Sequence, residues 1–380
     1  MKVAMITNHY YPHISGVATS IAKLTEGLEK IGHEVHIFAP KYINYIDSSP
    51  RIHRVPSISL PFQVIPLPLP GKKVLEKEVM KIKPDIIHVH HPFMLGKTAL
   101  KIGRRNNIPV IFTYHAMYEN YVHYFPLIPQ KISQFYVIQS ALRFANRTNV
   151  VIAPSESVQE ILLKRGLKSK MVVVPTGINP DIFVKDNLVR TETRKKWNVK
   201  ENEIAIISIA RLGKEKNFEM LIEAYSLLPE NLFKNLKLII GGDGPAKTEL
   251  ENKVNSLNIK EKVVFVGEMP YEEVPNFLAG GDIFAYPSMS ETQGLVTLEA
   301  QAASLPVIAT DAPGNRDILR NKITGLLVNN DSKDFANKMA FLIENQEIRK
   351  TMSIEARRRS LDFAQTNIVK KIEGIYRDCL

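Results

Sequence analysis

The sequence predicts an α/β protein built from two doubly wound domains. A chain of 380 residues is longer than a single hydrophobic core usually supports and is long enough for two domains of ordinary size. Short runs rich in valine and isoleucine alternate with helical stretches, which is typical of βα units around a parallel sheet. The alternation occurs twice, and residues 174–203 between the two series carry proline, glycine, asparagine and charge with little periodicity. We interpret residues 174–203 as the linker region.

The strands of each series are predicted from these apolar runs. After the first strand, the segment "SGVATSIAKLTEGLEKIG" has amphipathic spacing and predicts a helix. A ligand is expected in the cleft between two such domains, because strand carboxyl ends and helix amino ends converge there. The predicted strands are 2–7, 34–39, 85–90, 109–114, 149–153 and 171–174 in the first series, and 203–210, 236–242, 262–267, 282–287, 305–310 and 325–328 in the second.

Cysteine content and hydropathy predict a cytosolic chain. Cys379 is the only cysteine and cannot form an internal disulfide. The opening residues are typical of a strand and turn and unlike a signal peptide. No window approaches eighteen uninterrupted apolar residues, so no membrane span is expected. Association with a membrane surface remains open.

The net charge of +11 is concentrated in the first half of the sequence. Residues 1–175 hold 22 Lys and Arg against 10 Asp and Glu, or +12, and the remaining 28 against 29 give −1. This excess fits a solvated surface, an anionic membrane or nucleic acid. Nucleic acid is disfavoured as a partner because no supporting motif, zinc-ligand spacing or repeat is present.

Two loops that follow strands carry features suited to phosphate. Gly16 stands directly before the first helix, where a missing side chain lets a phosphate reach backbone N–H groups, although a glycine after a strand more often forms just an ordinary turn. After strand 203–210, "RLGKEKN" places Arg211 at the strand end and Lys216 five residues later. Together these cations suit a diphosphate, with arginine as a fork and lysine as a point charge.

Two glutamates frame a third loop, "SMSETQGLVTLEAQA". Glu291 lies in the loop, Gly294 begins the next helix, and Glu299 follows about one turn inside that helix. A glycoside hydrolase would need both carboxylates on one bond. Here a helix start suited to anions separates them, so one carboxylate fits a sugar and the other a ribose, both of which offer hydroxyl donors. The set of residues therefore predicts a nucleotide-sugar site.

The combination "ARLGKEKN", "GGDGP", "FVGE", "YPSMSETQGLVTLEAQA" and "PVIATDAPG" resembles family 4 of the retaining glycosyltransferases, over nearly the whole chain. That resemblance implies the GT-B architecture of two facing Rossmann-like domains with a cleft between them. The domains would be 1–175, which binds the acceptor, and 176–363, which binds the nucleotide sugar. A C-terminal helix, 364–380, would pack back on the first domain.

The resemblance also implies a mechanism and residue roles. A nucleoside diphosphate sugar would be the donor, UDP-sugar being favoured, with retention at the anomeric carbon and no metal or other cofactor. Arg211 and Lys216 would bind the diphosphate, Glu291 the sugar hydroxyls, and Glu299 the ribose. The helix start, Gln293, Gly294, Leu295, Val296 and Thr297, would contribute backbone groups to donor binding.

The first half resembles bacterial glucosyltransferases that act on diacylglycerol, on the motifs "YYPHISGVATSIAKLTEGL", "HVHHPFMLG" and "TYHAMYENYVHYF". By that likeness His115 would touch the 6-hydroxyl of the transferred sugar and act with Glu291 as a catalytic residue. His90 and His91 are ambiguous, and metal ligation by them is disfavoured for lack of a third ligand. The residues expected to line the acceptor entry are Tyr118, Tyr121, His123 and Tyr124.

The segment 56–70 is apolar, carries four prolines from position 61 to 70, and is followed at once by lysines. It either packs on its own domain or enters a membrane interface. Two basic groups are candidates for meeting anionic head groups: Lys72, Lys73 and Lys77, and Lys97, Lys101, Arg104 and Arg105.

The sequence therefore predicts a retaining hexosyltransferase that transfers glucose to diacylglycerol or a related lipid, peripheral on the inner face of the cell membrane. The alternatives are a family 4 transferase to a soluble or polysaccharide acceptor, a glycoside hydrolase, and a nucleotide-sugar sensor without turnover. Donor base, sugar epimer and oligomeric state stay open.

Overall fold

The structure is a computed structural model that describes residues 1–13, 15–58, 66–68, 72–120, 129–184 and 186–380, with Lys72 described by its backbone alone. The chain divides into two compact units, one formed by Met1–Gly177 with Gln365–Leu380 and the other by Ile178–Ala364. These boundaries lie one or two residues from the expected ones. We call the two units unit 1 and unit 2.

Unit 1 is built around a parallel sheet of seven strands in the order β3-β2-β1-β6-β7-β8-β9. Its inner strands are buried on both faces, as the continuous Val- and Ile-rich runs require, whereas the two edge strands are only partly buried. The strands of this unit are β1 (Lys2–Ile6), β2 (Glu34–Pro40), β3 (Ile52–Val55), β4 (Ser57–Ile58), β5 (Leu67–Pro68), β6 (Ile86–Val89), β7 (Val110–Thr113), β8 (Val150–Ala153) and β9 (Met171–Val173).

Five helices of unit 1 come from the same part of the chain. Ser15 begins the first of them, because its side chain accepts from the N–H of Ala18 as an N-cap. The helices are α1 (Gly16–Lys30), α2 (Lys72–Ile82), α3 (Leu95–Arg105), α4 (Gln130–Ala145) and α5 (Glu156–Lys164).

Unit 2 contains a parallel sheet of six strands in the order β12-β11-β10-β13-β14-β15. This is the strand order 3-2-1-4-5-6 of a Rossmann fold. Its strands are β10 (Ile204–Ile209), β11 (Leu236–Gly241), β12 (Val263–Gly267), β13 (Ile283–Tyr286), β14 (Val307–Thr310) and β15 (Gly325–Val328). Its helices are α6 (Asn187–Lys196), α7 (Phe218–Ser226), α8 (Glu230–Phe233), α9 (Lys247–Ser256), α10 (Val274–Ala279), α11 (Leu295–Ala302), α12 (Asn315–Ile318), α13 (Ser332–Glu344) and α14 (Gln346–Leu361).

The interpretation of residues 174–203 as a linker is wrong for most of their length. Residues from 178 onward belong to unit 2 and include α6, whose Arg194 is 6% exposed. Arg194 donates to the carboxylate of Asp282 and to three backbone carbonyls. A single buried guanidinium with satisfied donors gives no periodic apolar signal, so the sequence pattern missed this helix.

The last helix, α15 (Gln365–Arg377), belongs to unit 1. Ile368, Val369, Ile372 and Tyr376 are buried on α15 and join the core formed with α1 and the first strands. Val369 lies directly over Gly27 of α1, where any side chain would collide with it. The Tyr376 hydroxyl lies 2.6 Å from Nδ1 of His88, at the centre of the sheet.

The apolar segment 56–70 lies partly outside the described residues. Its described ends pair as β4 and β5 in a small antiparallel sheet. Pro66 and Pro68 are buried, whereas Ile58 is half exposed. The choice between packing and membrane insertion depends on residues 59–65 and 69–71 and stays a prediction.

Candidate functional site

In unit 2 the candidate site forms at the carboxyl ends of β10 and β13. The strand order reverses between these two strands, and in an open parallel sheet ligands bind where the order reverses. The loop after β10 carries Arg211 and Lys216, and the loop after β13 carries Glu291. Lys216 and Glu291 are 75 residues apart in the sequence, and the fold brings their two loops together.

One oxygen of Glu291 accepts hydrogen bonds from three donors. Lys216 Nζ lies 2.5 Å from Glu291 Oε1, the Tyr286 hydroxyl 2.7 Å and the Ser288 hydroxyl 3.0 Å. Tyr286 is the last residue of β13 and is 2% exposed, so the donor position is fixed by the sheet itself. The carboxylate is thus oriented before any ligand binds.

These partners keep Glu291 ionised. Burial alone would raise its pKa, but the ammonium of Lys216 and the hydrogen bonds from Lys216, Tyr286 and Ser288 outweigh it and hold the pKa of Glu291 below its ordinary value. An ionised carboxylate accepts hydrogen bonds and donates none. Glu291 is therefore suited to accept from hydroxyl groups of a ligand and unsuited to act as a general acid.

Arg211 follows β10 and is close to half exposed. Its Nη2 donates to Glu215 Oε1 over 3.1 Å, so each of the two cations assigned to a diphosphate lies beside a carboxylate of its own. Glu215 and the Lys216–Glu291 pair were not anticipated. Pairing of this kind neutralises the cations without removing their capacity to bind phosphate.

Backbone conformation and close backbone packing shape the start of α11. Gly294 precedes the helix with φ 72°, in the left-handed region that favours glycine. Gly314 has φ 77°, and a Cβ there would lie 2.7 Å from the backbone nitrogen of Gln293. Gln293 is 4% exposed and Thr297 is fully buried, donating to Asn315 Oδ1 over 3.4 Å. Leu295 and Val296 complete the first turn and are half-buried.

Glu299 lies within α11, as the sequence predicts, and is 6% exposed. Its Oε1 accepts from the hydroxyl of Tyr271 over 2.8 Å. Tyr271 was not anticipated, because it stands 28 residues earlier in a short turn before α10. Its position could be found only from the three-dimensional fold.

In unit 1 the corresponding reversal of strand order falls between β1 and β6. Gly16 begins α1 beside this point, and a Cβ on Gly16 would meet nothing within 4 Å. The N-cap hydroxyl of Ser15 lies 2.9 Å from Nε2 of His9, which follows β1. The opening in front of α1 is thus lined by a cap and an imidazole.

A cluster of histidines occupies the carboxyl ends of the central strands of unit 1. His115 follows β7, and its Nε2 lies 2.8 Å from Nδ1 of His90, which follows β6. His88 lies below them, with Nε2 2.7 Å from the hydroxyl of Thr113. His91 Nδ1 accepts from the backbone N–H of Asn8 over 3.2 Å. The sequence singled out His90, His91 and His115, but not His9 and His88.

Burial keeps this cluster neutral. Burial first, and then the charge of His9, lowers the pKa of His115 to about 3. Burial and the neighbouring imidazoles lower the pKa of His90 and His91 as well. His90 and His115 also line a small cavity beside α1 with room for about one or two water molecules.

The expected acceptor region is only partly described. Tyr118 packs edge to face against Phe93 and Tyr114, with ring centroids 5.2 Å away in each case. The next residue, Glu119, accepts from Arg165 Nη2 over 2.5 Å. Tyr121, His123 and Tyr124 lie outside the described residues, and their role stays a prediction.

Across the ranges that the structure describes, no group of three or more His, Cys, Asp or Glu side chains is arranged to hold a metal ion. None of the described helices combines the length and the apolar character needed to cross a membrane.

Two Rossmann-like units are present, and one of them places two cations and two carboxylates close to the start of a helix. This arrangement is typical of glycosyltransferases that use a nucleotide sugar as donor. A family model described as "Glycosyltransferase Family 4" matches residues 14–182, and one described as "Glycosyl transferases group 1" matches residues 189–359. The alpha-monoglucosyldiacylglycerol synthase of Streptococcus pneumoniae is 33% identical over 86% of this chain and 75% of its own. The enzyme of that name from Acholeplasma laidlawii is 28% identical over 100% of this chain and 98% of its own.

The chain therefore belongs to the family 4 glycosyltransferases, and the resemblance seen in its motifs is confirmed. Among solved structures, sucrose-phosphate synthase from Thermosynechococcus elongatus superposes with a TM-score of 0.83 at 21% identity, over 99% of this chain and 98% of that one. This similarity confirms the GT-B class of fold.

Proposed function

We propose that the protein transfers glucose, with retention of configuration, from UDP-glucose to diacylglycerol or a related lipid at a membrane surface. The proposed lipid acceptor is supported by the similarity, over 86–100% of the chain, to enzymes named alpha-monoglucosyldiacylglycerol synthase. The donor is supported by the meeting of Arg211, Lys216 and the start of α11 at one edge of the unit 2 sheet.

Each part of the donor has a matching group in this proposal. The diphosphate is bound by Arg211, Lys216 and the N–H groups at the start of α11. The sugar hydroxyls donate to Glu291, whose ionised carboxylate Tyr286 and Ser288 hold in place. The ribose hydroxyls donate to Glu299, which Tyr271 orients. In unit 1, His115 contacts the 6-hydroxyl of the transferred sugar.

The reaction breaks the bond between the anomeric carbon and the diphosphate oxygen and forms one from that carbon to the acceptor oxygen on the same face. The acceptor proton passes to the departing diphosphate. Lys216 and Arg211 stabilise the negative charge that grows on the diphosphate, which lowers the barrier. No metal is required, because these cations supply the charge.

Contact with an anionic membrane is proposed for unit 1. In α3, Lys97, Lys101, Arg104 and Arg105 are exposed while Leu95, Ala99, Leu100 and Ile102 are buried, so the outer face is basic. α2 packs beside α3 and adds exposed Lys73 and Lys77. In α4, Ile132, Phe135 and Tyr136 are 49%, 61% and 68% exposed. Exposed basic groups and exposed apolar side chains in the same unit are both features of an interfacial surface.

The test is a transfer assay with UDP-glucose, GDP-mannose and UDP-galactose against diacylglycerol in mixed vesicles and against soluble sugars, with products identified by mass. Glucosyl diacylglycerol with the α configuration is expected only from UDP-glucose. Glu291→Gln and His115→Ala are expected to lose most transfer while still binding UDP. Efficient transfer to a soluble sugar with none to lipid contradicts the acceptor. Release of free glucose without transfer would support a hydrolase.

A further inference from the structure

Met94 has a backbone conformation that methionine rarely adopts. It directly precedes α3 with φ 45° and ψ −104°, and the N–H of Gly96 donates to the carbonyl of Phe93 over 2.8 Å. These angles and this hydrogen bond are those of a type II′ turn with Met94 at its second position, where glycine is strongly preferred because a Cβ is crowded at positive φ. The chain therefore keeps a methionine where glycine would relax the backbone.

The surrounding contacts explain how the strained turn persists. Asn8, two residues after β1, holds the turn with its side chain: the amide donates to the carbonyl of Phe93 and the oxygen accepts from the N–H of Leu95, each over 3.2 Å. At Gly96 the backbone packs so closely that a Cβ would collide with the carbonyl oxygen of His91. A strained conformation is kept only where the neighbouring structure fixes it in this way.

The turn lies where an open parallel sheet binds its ligand. It follows β6, and the strand order of unit 1 reverses between β1 and β6. Met94 is 40% exposed at this edge of the sheet, whereas Phe93 beside it packs edge to face on Tyr118. Strained residues concentrate at ligand sites, where the strain gives a side chain a direction that a relaxed backbone would not.

The chemistry of Met94 and its neighbours fits a lipid. A thioether side chain is flexible and polarizable, so it adapts to irregular apolar partners such as acyl chains. Lys97 and Lys101 are exposed and stand three and seven positions after Met94, a spacing that places side chains along one side of a helix. Met94 thus adds an apolar group to the basic side of α3 at the end nearest the ligand-binding edge of the sheet.

We propose that Met94 is a specificity-determining residue that contacts the acyl part of the lipid acceptor. The strained turn directs its side chain toward the acyl chain of a lipid that enters along the basic side of α3. This inference rests on the proposed function, because it assigns a contact to the lipid that the function requires. The strain is a property of the protein alone, so glycine at position 94 stabilises the fold while it weakens the use of the lipid.

The chain contains a matched control for the strain. Lys83 precedes β6, has φ 51° and is exposed. Glycine at position 83 relaxes a positive φ at the opposite end of the same strand, away from the ligand-binding edge. Lys83→Gly therefore reproduces the backbone effect of Met94→Gly without the proposed loss of a lipid contact.

Chemical unfolding of the full chain measures the strain. Met94→Gly and Lys83→Gly are each expected to lower the equilibrium constant for unfolding roughly 3- to 10-fold, because relief of the positive φ outweighs the freedom that glycine adds to the unfolded chain. Met94→Gln keeps the length and the strain of the wild-type residue and should unfold within about twofold of it.

Transfer kinetics with UDP-glucose measure the contact. The acceptors are dihexanoylglycerol and dioctanoylglycerol in neutral detergent micelles, and the wild type should have the lower KM for the longer chains. Met94→Gly and Met94→Gln should raise the KM for dioctanoylglycerol roughly 4- to 15-fold, which corresponds to one or two buried methylene groups, with the KM for UDP-glucose unchanged. Met94→Leu, which restores an apolar side chain, should recover most of this loss. Lys83→Gly should match the wild-type kinetics.

Three results overturn the inference: an acceptor KM that both Met94→Gly and Met94→Gln leave unchanged, an equal rise in the KM for UDP-glucose, or a Met94→Gly chain less stable than wild type. Met94→Gln tests the contact even if Met94→Gly fails to fold. A wild type that glucosylates soluble sugars and no lipid overturns the proposed function and this inference together. A wild type that glucosylates lipid while the Met94 variants match it overturns this inference alone.

Discussion

Lys216 donates to Glu291 over 2.5 Å, and both side chains are only 15% exposed. The pair joins the loop after β10 to the loop after β13, so the group proposed to bind phosphate also neutralises the group proposed to bind sugar. A diphosphate that draws Lys216 toward itself weakens its hold on Glu291. The arrangement links occupation of the phosphate position to the charge felt at the sugar position.

Replacing Lys216 by Ala is expected to reduce both donor binding and catalysis. UDP at a hundredfold excess over its Kd should stabilise the wild type by about 2.7 kcal/mol, and this stabilisation should shrink in Lys216→Ala. The kcat/KM for transfer should fall roughly 100-fold or more, because a cation near the developing charge is lost. Thermal shift and initial rates measure the two effects. Lys214→Ala, in the same turn but 79% exposed, should retain wild-type values.

Glu291→Gln separates the two roles of the pair. It frees Lys216 from its carboxylate, so UDP should bind as tightly as in wild type or more tightly, while transfer falls because the sugar loses an ionised acceptor. Isothermal titration with UDP and the transfer assay distinguish these outcomes. Weaker UDP binding in Glu291→Gln would show that Glu291 serves the nucleotide.

Tyr271→Phe is expected to weaken nucleotide binding modestly. The change removes the 2.8 Å hydrogen bond to Glu299 and with it one of the contacts that orient that carboxylate. A hydrogen bond of this kind contributes about 0.5–1.5 kcal/mol, which corresponds to a Kd for UDP about 2- to 12-fold higher. Tyr225→Phe is the control, since the buried Tyr225 hydroxyl has no hydrogen-bond partner among the described residues. Equal effects of the two changes would count against the assignment of Glu299 to the ribose.

Unit 1 is expected to lose stability in mild acid. All ten histidines of the chain lie between positions 9 and 123, in unit 1. Burial first, and then its neighbour His115, lowers the pKa of His88 to about 3, and burial and His13 lower that of His9 to about 4. These imidazoles stay neutral in the folded state, whereas in the unfolded chain they take up protons below about pH 6.5.

The direction in which the free energy of unfolding changes with pH follows from proton uptake. Between about pH 6.5 and pH 4 the unfolded state binds more protons, so the free energy of unfolding falls as the pH is lowered and is fully retained above about pH 6.5. Fully buried His88 alone accounts for about 2 kcal/mol between pH 6.5 and pH 5. Chemical unfolding at pH 7, 6 and 5 measures this. An unfolding free energy that does not change over this range would contradict the buried neutral cluster.

Binding to anionic vesicles is expected to depend on the basic surface of α2 and α3. Each basic residue near an anionic bilayer contributes about 1 kcal/mol, so changing Lys72, Lys73 and Lys77 to Glu should weaken vesicle binding at least about 100-fold. Sedimentation with vesicles at low and high salt measures this. The same changes at Lys195, Lys196 and Lys200, exposed in unit 2, should have little effect. Loss of binding in both triple variants would indicate a response to net charge only.

The strands of both sheets were predictable because buried parallel strands read as continuous apolar runs. All twelve predicted strands are present, within one or two residues at each end. The strand β3, "IHRV", was missed because it lies at the edge of its sheet and carries a histidine and an arginine. Helix α6 was missed because its buried contact is made by a charged side chain.

The positions of the candidate site residues on the fold were predictable where these residues lie in loops directly after strands. Arg211, Lys216, Glu291 and His115 lie in such loops, whereas Glu299 lies in helix α11, which follows one of them. The sequence order placed all five on the correct elements. The partners that orient them were not predictable in the same way. Tyr271 contacts Glu299 across 28 residues of sequence, and the sequence pattern gives Tyr286 only as an ordinary strand residue. Only the pairing of side chains in space identifies them.

The return of the chain to unit 1 at α15 has a consequence for biosynthesis. Unit 2 is one continuous segment, whereas unit 1 needs residues 365–380, which the ribosome releases after the whole of unit 2. Unit 2 can therefore complete its core while unit 1 still lacks a helix. Until α15 arrives, Leu24 and Leu28 of α1 have no cover from Ile368, Val369 and Ile372, and His88 has no tyrosine beside it. The nascent chain thus exposes apolar side chains of α1 until α15 is translated, and the first unit to be translated is the last to be completed.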